Sequence, residues 1–72
     1  MNWDDFRLVR AIAEARSLVG AAEALDLNHS TIFRRLGQIE AELGKTLFER
    51  SRSGYSATEA GVVFHWHIRP NA

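Results

Sequence analysis

Residues 17–44 read SLVGAAEALDLNHSTIFRRLGQIEAELG, and this stretch decides the fold. It predicts a short helix, a tight turn and a longer second helix. Ser17 is a typical residue before a helix, because its hydroxyl can accept a hydrogen bond from a free backbone amide. The small side chains of Ala21 and Ala22 let two helix backbones approach closely. Gly44 marks the end of the second helix, so the segment has the form of a helix-turn-helix motif.

The second helix of this motif, residues 28–43, combines an apolar face with a polar face. Asn28 is expected to cap its start. Four aliphatic residues at helical spacing predict the core-facing stripe: Ile32, Leu36, Ile39 and Leu43. The outer face opposite this stripe is slim and polar. The candidate DNA-binding residues of this segment are Asn28, Ser30, Thr31, Arg34, Arg35 and Gln38. Hydroxyl, amide and guanidinium groups on a slim helix can reach base edges and phosphates in a major groove. An ordinary solvated helix face has the same composition, so both interpretations stay open for this face alone.

Residues 47–57 predict a small β-hairpin. A turn over residues 51–54 contains glycine, which favours a tight reversal of the chain. Three apolar side chains can fold back on the core: Leu47, Phe48 and Tyr55. This leaves Arg50 and Arg52 at the tip, where they can contact phosphates or a narrow minor groove. For either arginine alone, a solvated surface charge is the alternative interpretation.

Composition limits the class of protein. The chain has 72 residues, enough for one small domain, and its 46% hydrophobic and 25% charged residues are typical of a globular fold. It contains no cysteine, so neither a disulfide nor a thiolate metal site is available. The sequence has no apolar run of membrane-spanning length and no signal peptide, so we expect a cytoplasmic protein without a membrane partner.

Charge is unevenly distributed although the formal net charge is zero. Residues 1–27 contain five acidic and three basic side chains, a net charge of −2. Residues 28–55 contain five basic and three acidic side chains, a net charge of +2. Positive charge therefore gathers on the second helix of the motif and on the hairpin, where a DNA-binding surface is expected.

The segment before the motif predicts a helix over Trp3–Ala15 with Asn2 as its cap. Phe6, Val9 and Ala13 form the core stripe of this helix. Leu8 and Ile12 form a second apolar ridge, more than roughly 100° away around the helix axis. A small bundle that wraps the helix on two sides explains this ridge as well as contact with a second subunit does.

The tail alternates apolar and polar residues from Val62 to Arg69, which predicts a strand-like conformation rather than a continued helix. At most about two helical turns from Thr58 are expected before Pro70. We interpret residues 62–72 as the truncated or divergent start of a linker segment that follows a domain over residues 1–61. Exposed apolar side chains favour a weak homodimer, with contacts predicted at Leu8, Ile12, Phe64 and Trp66.

An ordered set of residues extends the pattern over most of the chain: Phe6, Ser17-Leu18, Ala21-Ala22, Leu25, Asn28, Ser30, Ile32, Arg34, Leu36, Ile39-Glu40, Leu43-Gly44, Leu47-Phe48-Glu49-Arg50, Gly54-Tyr55 and Thr58-Glu59-Ala60-Gly61. With this set, residues 3–61 resemble the N-terminal winged helix-turn-helix domain of LysR-type transcriptional regulators. The resemblance implies a mainly α fold with three helices, a small two-stranded β wing and a short fourth helix. It also implies a bacterial DNA-binding regulator, usually dimeric or tetrameric. In this family a long linker helix leads to an effector-binding domain, which we do not expect within this chain.

By the same resemblance, four residues fall where the recognition helix of the family meets DNA, and two fall on its wing: Asn28, Ser30, Thr31 and Arg34, then Arg50 and Arg52. Position 33 departs from the family, because it is commonly a small hydroxyl residue there and is Phe33 here. A phenyl ring cannot form the hydrogen bond of a hydroxyl group, but it can pack sideways or contact a thymine methyl group.

Three classes of function compete. Sequence-specific binding of double-stranded DNA, as part of a LysR-type regulator, is the interpretation we favour. A winged-helix protein-interaction module without specific DNA binding is the alternative, and the neutral net charge permits it. A small metal-dependent enzyme built around His29, His65 and His67 would lack both a nucleophile and a scaffold large enough for a pocket. We therefore expect no enzyme activity, no cofactor and no metal.

Overall fold

A computed structural model describes the backbone of residues 2–68 and the side chains of residues 2–64. Its elements follow the chain in the order α1 (Trp3–Ala15), α2 (Leu18–Leu25), α3 (His29–Leu43), β1 (Phe48–Ser51), β2 (Gly54–Ala57) and α4 (Glu59–Ile68). The predicted fold class is confirmed: three helices, a two-stranded antiparallel wing and a short fourth helix.

The helix ends follow the local chemistry of the sequence, with one exception. Asn2 and Asp5 form a reciprocal capping box at the start of α1, and the Ser17 hydroxyl accepts a hydrogen bond from the Gly20 amide at 2.9 Å. Asn28 occupies the cap position of α3 with an extended backbone, but its side chain makes no capping hydrogen bond. The prediction that Asn28 caps α3 is therefore right about its position and wrong about its side chain. Gly44 ends α3 in a left-handed conformation, as expected.

The core lies where α1 meets the other helices and the wing, and α1 contacts α2, α3, α4 and β2. Its fully buried large side chains are Leu8, Val9, Ile12, Ile32 and Leu47. Leu8 and Ile12 are only 1% and 0% exposed, so the homodimer contacts predicted at these two residues are wrong. The second apolar ridge of α1 instead serves the bundle of one chain, because neighbouring elements cover that helix on more than one side.

The chain is helical over Glu59–Ile68, so the strand-like prediction for the described part of the tail is wrong. The Thr58 hydroxyl accepts a hydrogen bond from the Gly61 amide at 3.1 Å and donates one to the Thr46 carbonyl at 2.6 Å. Gly61 is buried, and the Phe64 ring lies 5.3 Å from the Phe6 ring between centroids. This capping and packing outweigh the local alternation of residue types. The predicted contact at Trp66, the side chains of His65 and His67, and Pro70 lie outside the described residues.

The wing is anchored to the helical body at two points. The Tyr55 amide donates a hydrogen bond to the Arg16 carbonyl at 2.9 Å, which ties β2 to the connection between α1 and α2. The Glu40 carboxylate accepts a hydrogen bond from the Leu47 amide at 2.7 Å, which ties the start of the wing to α3. The hairpin is therefore held on the helical body by one backbone–backbone hydrogen bond and one hydrogen bond to a side chain of α3, as well as by packing.

Candidate nucleic-acid interface

The polar face of α3 is exposed over most of its length. Ser30, Arg34, Gly37 and Gln38 are exposed, whereas Ile32, Leu36 and Ile39 on the other side of the helix are buried. The helical phase predicted from the apolar stripe is therefore correct. Thr31 is half-buried at the edge of the exposed face, and Asn28 is exposed just before the helix begins.

Arg35 is separated from the other candidate DNA-binding residues. Its guanidinium lies 3.9 Å from the Asp5 carboxylate, and the side chain is half-buried in the cleft between α3 and α1. The sequence could not indicate this pairing, because it depends on how α1 packs against α3. The structure thus places Arg35 in a link between two helices and not beside Arg34 on the exposed face, while its contact with DNA stays a prediction.

Two arginines lie at different positions along the wing. Arg50 lies in β1 opposite Tyr55 of β2, and Arg52 lies in the turn between the strands. The Ser51 hydroxyl donates a hydrogen bond to the Gly54 carbonyl at 3.1 Å across this turn. The turn therefore holds Arg52 at the exposed tip, as the sequence predicted, whereas the strand pairing sets Arg50 on the body of the wing, so the predicted position of Arg50 at the tip is wrong.

Two adjoining concavities lie between α3 and the wing, and Phe33, Arg50 and Tyr55 line both of them. One reaches the start of α2, and the other runs along α3. We call the continuous face that they form the α3–wing surface; it comprises Val19, His29, Ser30, Phe33, Arg34, Gly37, Arg50 and Tyr55. The structure thus brings Ser30, Arg34 and Arg50 of the predicted set together on one surface.

The arginines of the interface differ from those of α1 in their partners. Arg7 pairs with Asp4 at 3.5 Å, and Arg10 pairs with Glu14 at 3.3 Å. Within the described residues, the arginines at positions 34, 50 and 52 form no ion pair. Their charge is therefore not neutralised by an ion pair and is available to an anionic partner at the α3–wing surface and its rim. The Glu40 carboxylate lines the same concavity as Arg34 and Arg50, where it accepts the hydrogen bond from the Leu47 amide.

Five members of the surface were not in the predicted DNA-binding set, namely Val19, His29, Phe33, Gly37 and Tyr55. Val19 is exposed in the first turn of α2, and the helical period alone could have indicated that it points away from buried Ala21 and Ala22. His29 begins α3 and lines the same concavity as Ser30, although the sequence pattern suggested it only as a candidate metal ligand.

The described part of the chain contains neither a candidate metal site nor a helix that could span a membrane. Among side chains 2–64, no group of three His, Asp or Glu residues is arranged to hold a metal ion. Among the described helices, none is long and apolar enough to cross a membrane.

Comparison with known proteins assigns the chain to a family. Residues 3–62 match the model of the bacterial regulatory helix-turn-helix proteins of the lysR family. The chain belongs to that family. It therefore carries the helix-turn-helix domain of this family of bacterial regulatory proteins, in agreement with the resemblance of residues 3–61.

Individual relatives agree with this assignment. An uncharacterized HTH-type transcriptional regulator of Mycobacterium tuberculosis is 45% identical over 65 residues, which is 89% of this chain and 21% of the relative. The Mau operon transcriptional activator of Paracoccus denitrificans is 47% identical over 49 residues, or 68% of this chain and 17% of the activator. The chain thus spans about a fifth of the length of the curated relatives that it matches.

Solved structures of the family superpose closely on this fold. The CbnR_DBD-DNA complex gives a TM-score of 0.88 at 34% identity, covering 93% of this chain and 77% of that one. The BenM_DBD/benA site 1 DNA complex gives a TM-score of 0.88 at 28% identity, covering 93% of this chain and 78% of that one.

Proposed function

We propose that this lysR-family chain binds double-stranded DNA through the α3–wing surface, with α3 in the major groove and the wing on the flanking backbone or minor groove. The observation that carries the proposal is one concave face lined by Arg34 and Arg50, with Arg52 at the exposed tip of the wing; these arginines have no ion pair within the described residues. Related domains of CbnR and BenM, solved as DNA complexes, share this fold and support the same partner for this chain.

The side chains of α3 divide into two roles in this proposal. Arg34 offers a guanidinium that fits the O6 and N7 acceptors of guanine or a phosphate, whereas Ser30 and Gln38 offer smaller polar groups to base edges. The Asn28 amide makes no capping hydrogen bond within α3, so both its donor and its acceptor remain for DNA. Thr31, half-buried at the edge, is placed for a backbone contact.

The wing arginines take a sequence-independent role. Arg52 at the exposed tip contacts phosphate or a narrow minor groove, and Arg50 contacts the phosphate backbone nearer to α3. Arg35 is not included, because its partner is Asp5.

We propose residues 1–61 as the DNA-binding unit, residues 62–72 as the start of a linker segment, and the cytoplasm as the site of action.

A binding assay with matched arginine variants tests this proposal. A duplex is first selected from random double-stranded DNA with the full chain, and affinity is then measured by fluorescence anisotropy over a range of salt concentrations. Arg34→Ala should weaken binding to the selected duplex by about 1–3 kcal/mol if it reads a base. Arg52→Ala should weaken binding to all duplexes alike and lower the salt slope by about one unit.

Arg7→Ala is the matched control, because Arg7 is an exposed arginine paired with Asp4 on α1. It should leave both the affinity and the salt slope near those of the parent. Equal losses in Arg7→Ala and Arg34→Ala would contradict the proposed surface. Failure of any duplex to bind in a salt-dependent way would favour the protein-interaction module instead.

We also propose weak self-association of the chain through α4. Val62 and Val63 are 54% and 51% exposed beside half-buried Phe64, which leaves an apolar strip on that helix. A second copy that covers this strip would give a concentration-dependent dimer. Sedimentation velocity at micromolar and near-millimolar concentrations measures this: Val63→Ser should shift the sample toward monomer, and a strict monomer in the parent would contradict the proposal.

A further inference from the structure

Phe33 stands out from the polar face of α3. It is 61% exposed, although it is a large apolar side chain in the middle of the α3–wing surface. Its neighbours one turn away on the same helix face are Ser30 and Gly37, which are small. A Cβ atom added at Gly37 would meet nothing within 4 Å, so no side chain fills the space over Gly37. The Phe33 ring thus lies among small residues of its own helix and lines both concavities, while most of its surface stays exposed.

The surroundings of the ring indicate what it meets on DNA. Arg34 follows it directly, and Arg50 lines the same two concavities, so groups suited to phosphates flank the phenyl ring. In the major groove, the apolar group that the base edges present is the C5-methyl group of thymine. Contact between the exposed phenyl ring and such a methyl group removes apolar surface from water and thereby stabilises the complex.

We propose that Phe33 is a specificity-determining residue that contacts the C5-methyl group of a thymine in the major groove. This inference rests on the proposed binding of DNA through the α3–wing surface. It adds a preference for thymine at one or two positions of the bound sequence, read by an apolar contact and not by a hydrogen bond.

Single replacement of each thymine by deoxyuridine tests the contact, because this exchange removes the methyl group and keeps base pairing. With the selected duplex, the parent chain should lose about fourfold in affinity at one or two positions, the effect of one buried methyl group. Phe33→Ala should bind the thymine duplex at least that much more weakly and show no further loss with deoxyuridine. Phe33→Leu, which keeps an apolar side chain, should retain part of the deoxyuridine response.

Trp3→Ala is the control, because Trp3 is an equally exposed aromatic residue on α1, away from the α3–wing surface. It should keep the full deoxyuridine response of the parent. A circular dichroism melt of Phe33→Ala close to that of the parent verifies that the variant is folded.

Three results would overturn the inference. The first is a parent chain that is indifferent to every deoxyuridine, the second is a selected sequence without thymine, and the third is a deoxyuridine response that persists in Phe33→Ala. If Arg34→Ala still weakens binding in these cases, the proposed DNA binding stands and only the role of Phe33 fails. If no duplex binds in a salt-dependent way, the proposed function fails and the inference with it.

Discussion

Gly54→Ala adds a single methyl group at the point where the wing meets the helical body. Gly54 has a φ of +118°, which side chains of L-residues rarely adopt, and an added Cβ would overlap the Arg16 carbonyl oxygen. That same oxygen accepts the hydrogen bond from the Tyr55 amide at 2.9 Å. The substitution therefore strains the turn and pushes β2 away from its anchor.

Two contributions set the expected loss of stability. A non-glycine residue in a sparsely populated backbone region costs about 1–3 kcal/mol. Movement of β2 that relieves the overlap lengthens or breaks the Tyr55–Arg16 hydrogen bond, which contributes about 1 kcal/mol. Together they predict a fall in the free energy of unfolding of about 2–4 kcal/mol. In a domain of this size, 2 kcal/mol corresponds to about 8–16 °C in Tm.

The assay is thermal and urea unfolding followed by circular dichroism, with Gly37→Ala as the matched control. Gly37 lies inside α3, and an added Cβ would meet nothing within 4 Å. Its replacement should stabilise the helix by about 0.5–1 kcal/mol, because alanine loses less backbone entropy than glycine. The same methyl group should thus have opposite effects at the two positions. A Gly54→Ala variant that melts with the parent, or a Gly37→Ala variant that loses comparable stability, would refute this reasoning.

Three further substitutions test the core, the cap of α4 and the position of Arg35. Ile39→Ala removes a buried side chain and should cost about 2–5 kcal/mol in a denaturant melt, so an unchanged midpoint would mean that Ile39 is not part of the core. Thr58→Ala removes the hydroxyl that caps α4 and should lower stability by about 1–2 kcal/mol, whereas Thr58→Ser should recover most of it; equal melts of the two variants would contradict the capping role. Arg35→Ala breaks only a partly exposed pair with Asp5 and should change stability by less than about 1 kcal/mol, with DNA affinity close to that of the parent. A loss of affinity as large as that of Arg34→Ala would return Arg35 to the DNA surface.

Local chemistry explains why much of the fold is predictable from the sequence. The hydroxyl of Ser17, the left-handed end at Gly44 and the apolar stripe of α3 each act within a few residues. These signals agree with one another, so the helix-turn-helix and the phase of its second helix are predicted correctly. The wing is predictable for the same reason, because the glycine at position 54 and the short turn fix the strand pairing.

The predictions that fail depend on contacts between distant segments. In the sequence, Leu8 and Ile12 form an apolar ridge whose partner cannot be identified. In the structure, neighbouring elements cover this side of α1. The tail alternates like a strand, but it is helical as far as Ile68. The cap by Thr58 is local and expected, whereas the hydrogen bond that Thr58 donates to the Thr46 carbonyl reaches twelve residues back along the chain. Periodicity within the tail contains no information about this second bond.

The candidate site likewise contains features that the local sequence predicts and features that depend on contacts between distant segments. Exposure of Arg34 and Gln38 follows from the helical phase, which the apolar stripe reveals. The pairing of Arg35 with Asp5 does not, because it requires knowledge of how α1 crosses α3. Phe33 is an intermediate case: its small neighbours on α3 are visible in the sequence, but its exposure and its place in both concavities are visible only in the structure.

The most direct test of the central claim is a titration of the isotope-labelled chain with the selected duplex, followed by amide chemical shifts in two-dimensional NMR spectra. If DNA binds through the α3–wing surface, the perturbed amides should concentrate in residues 28–38 and in residues 50–55 of the wing. The amides on the outer face of α1 around Arg7 and Arg10 should remain unchanged. Perturbations concentrated on α1 and absent from α3 would contradict binding through the α3–wing surface.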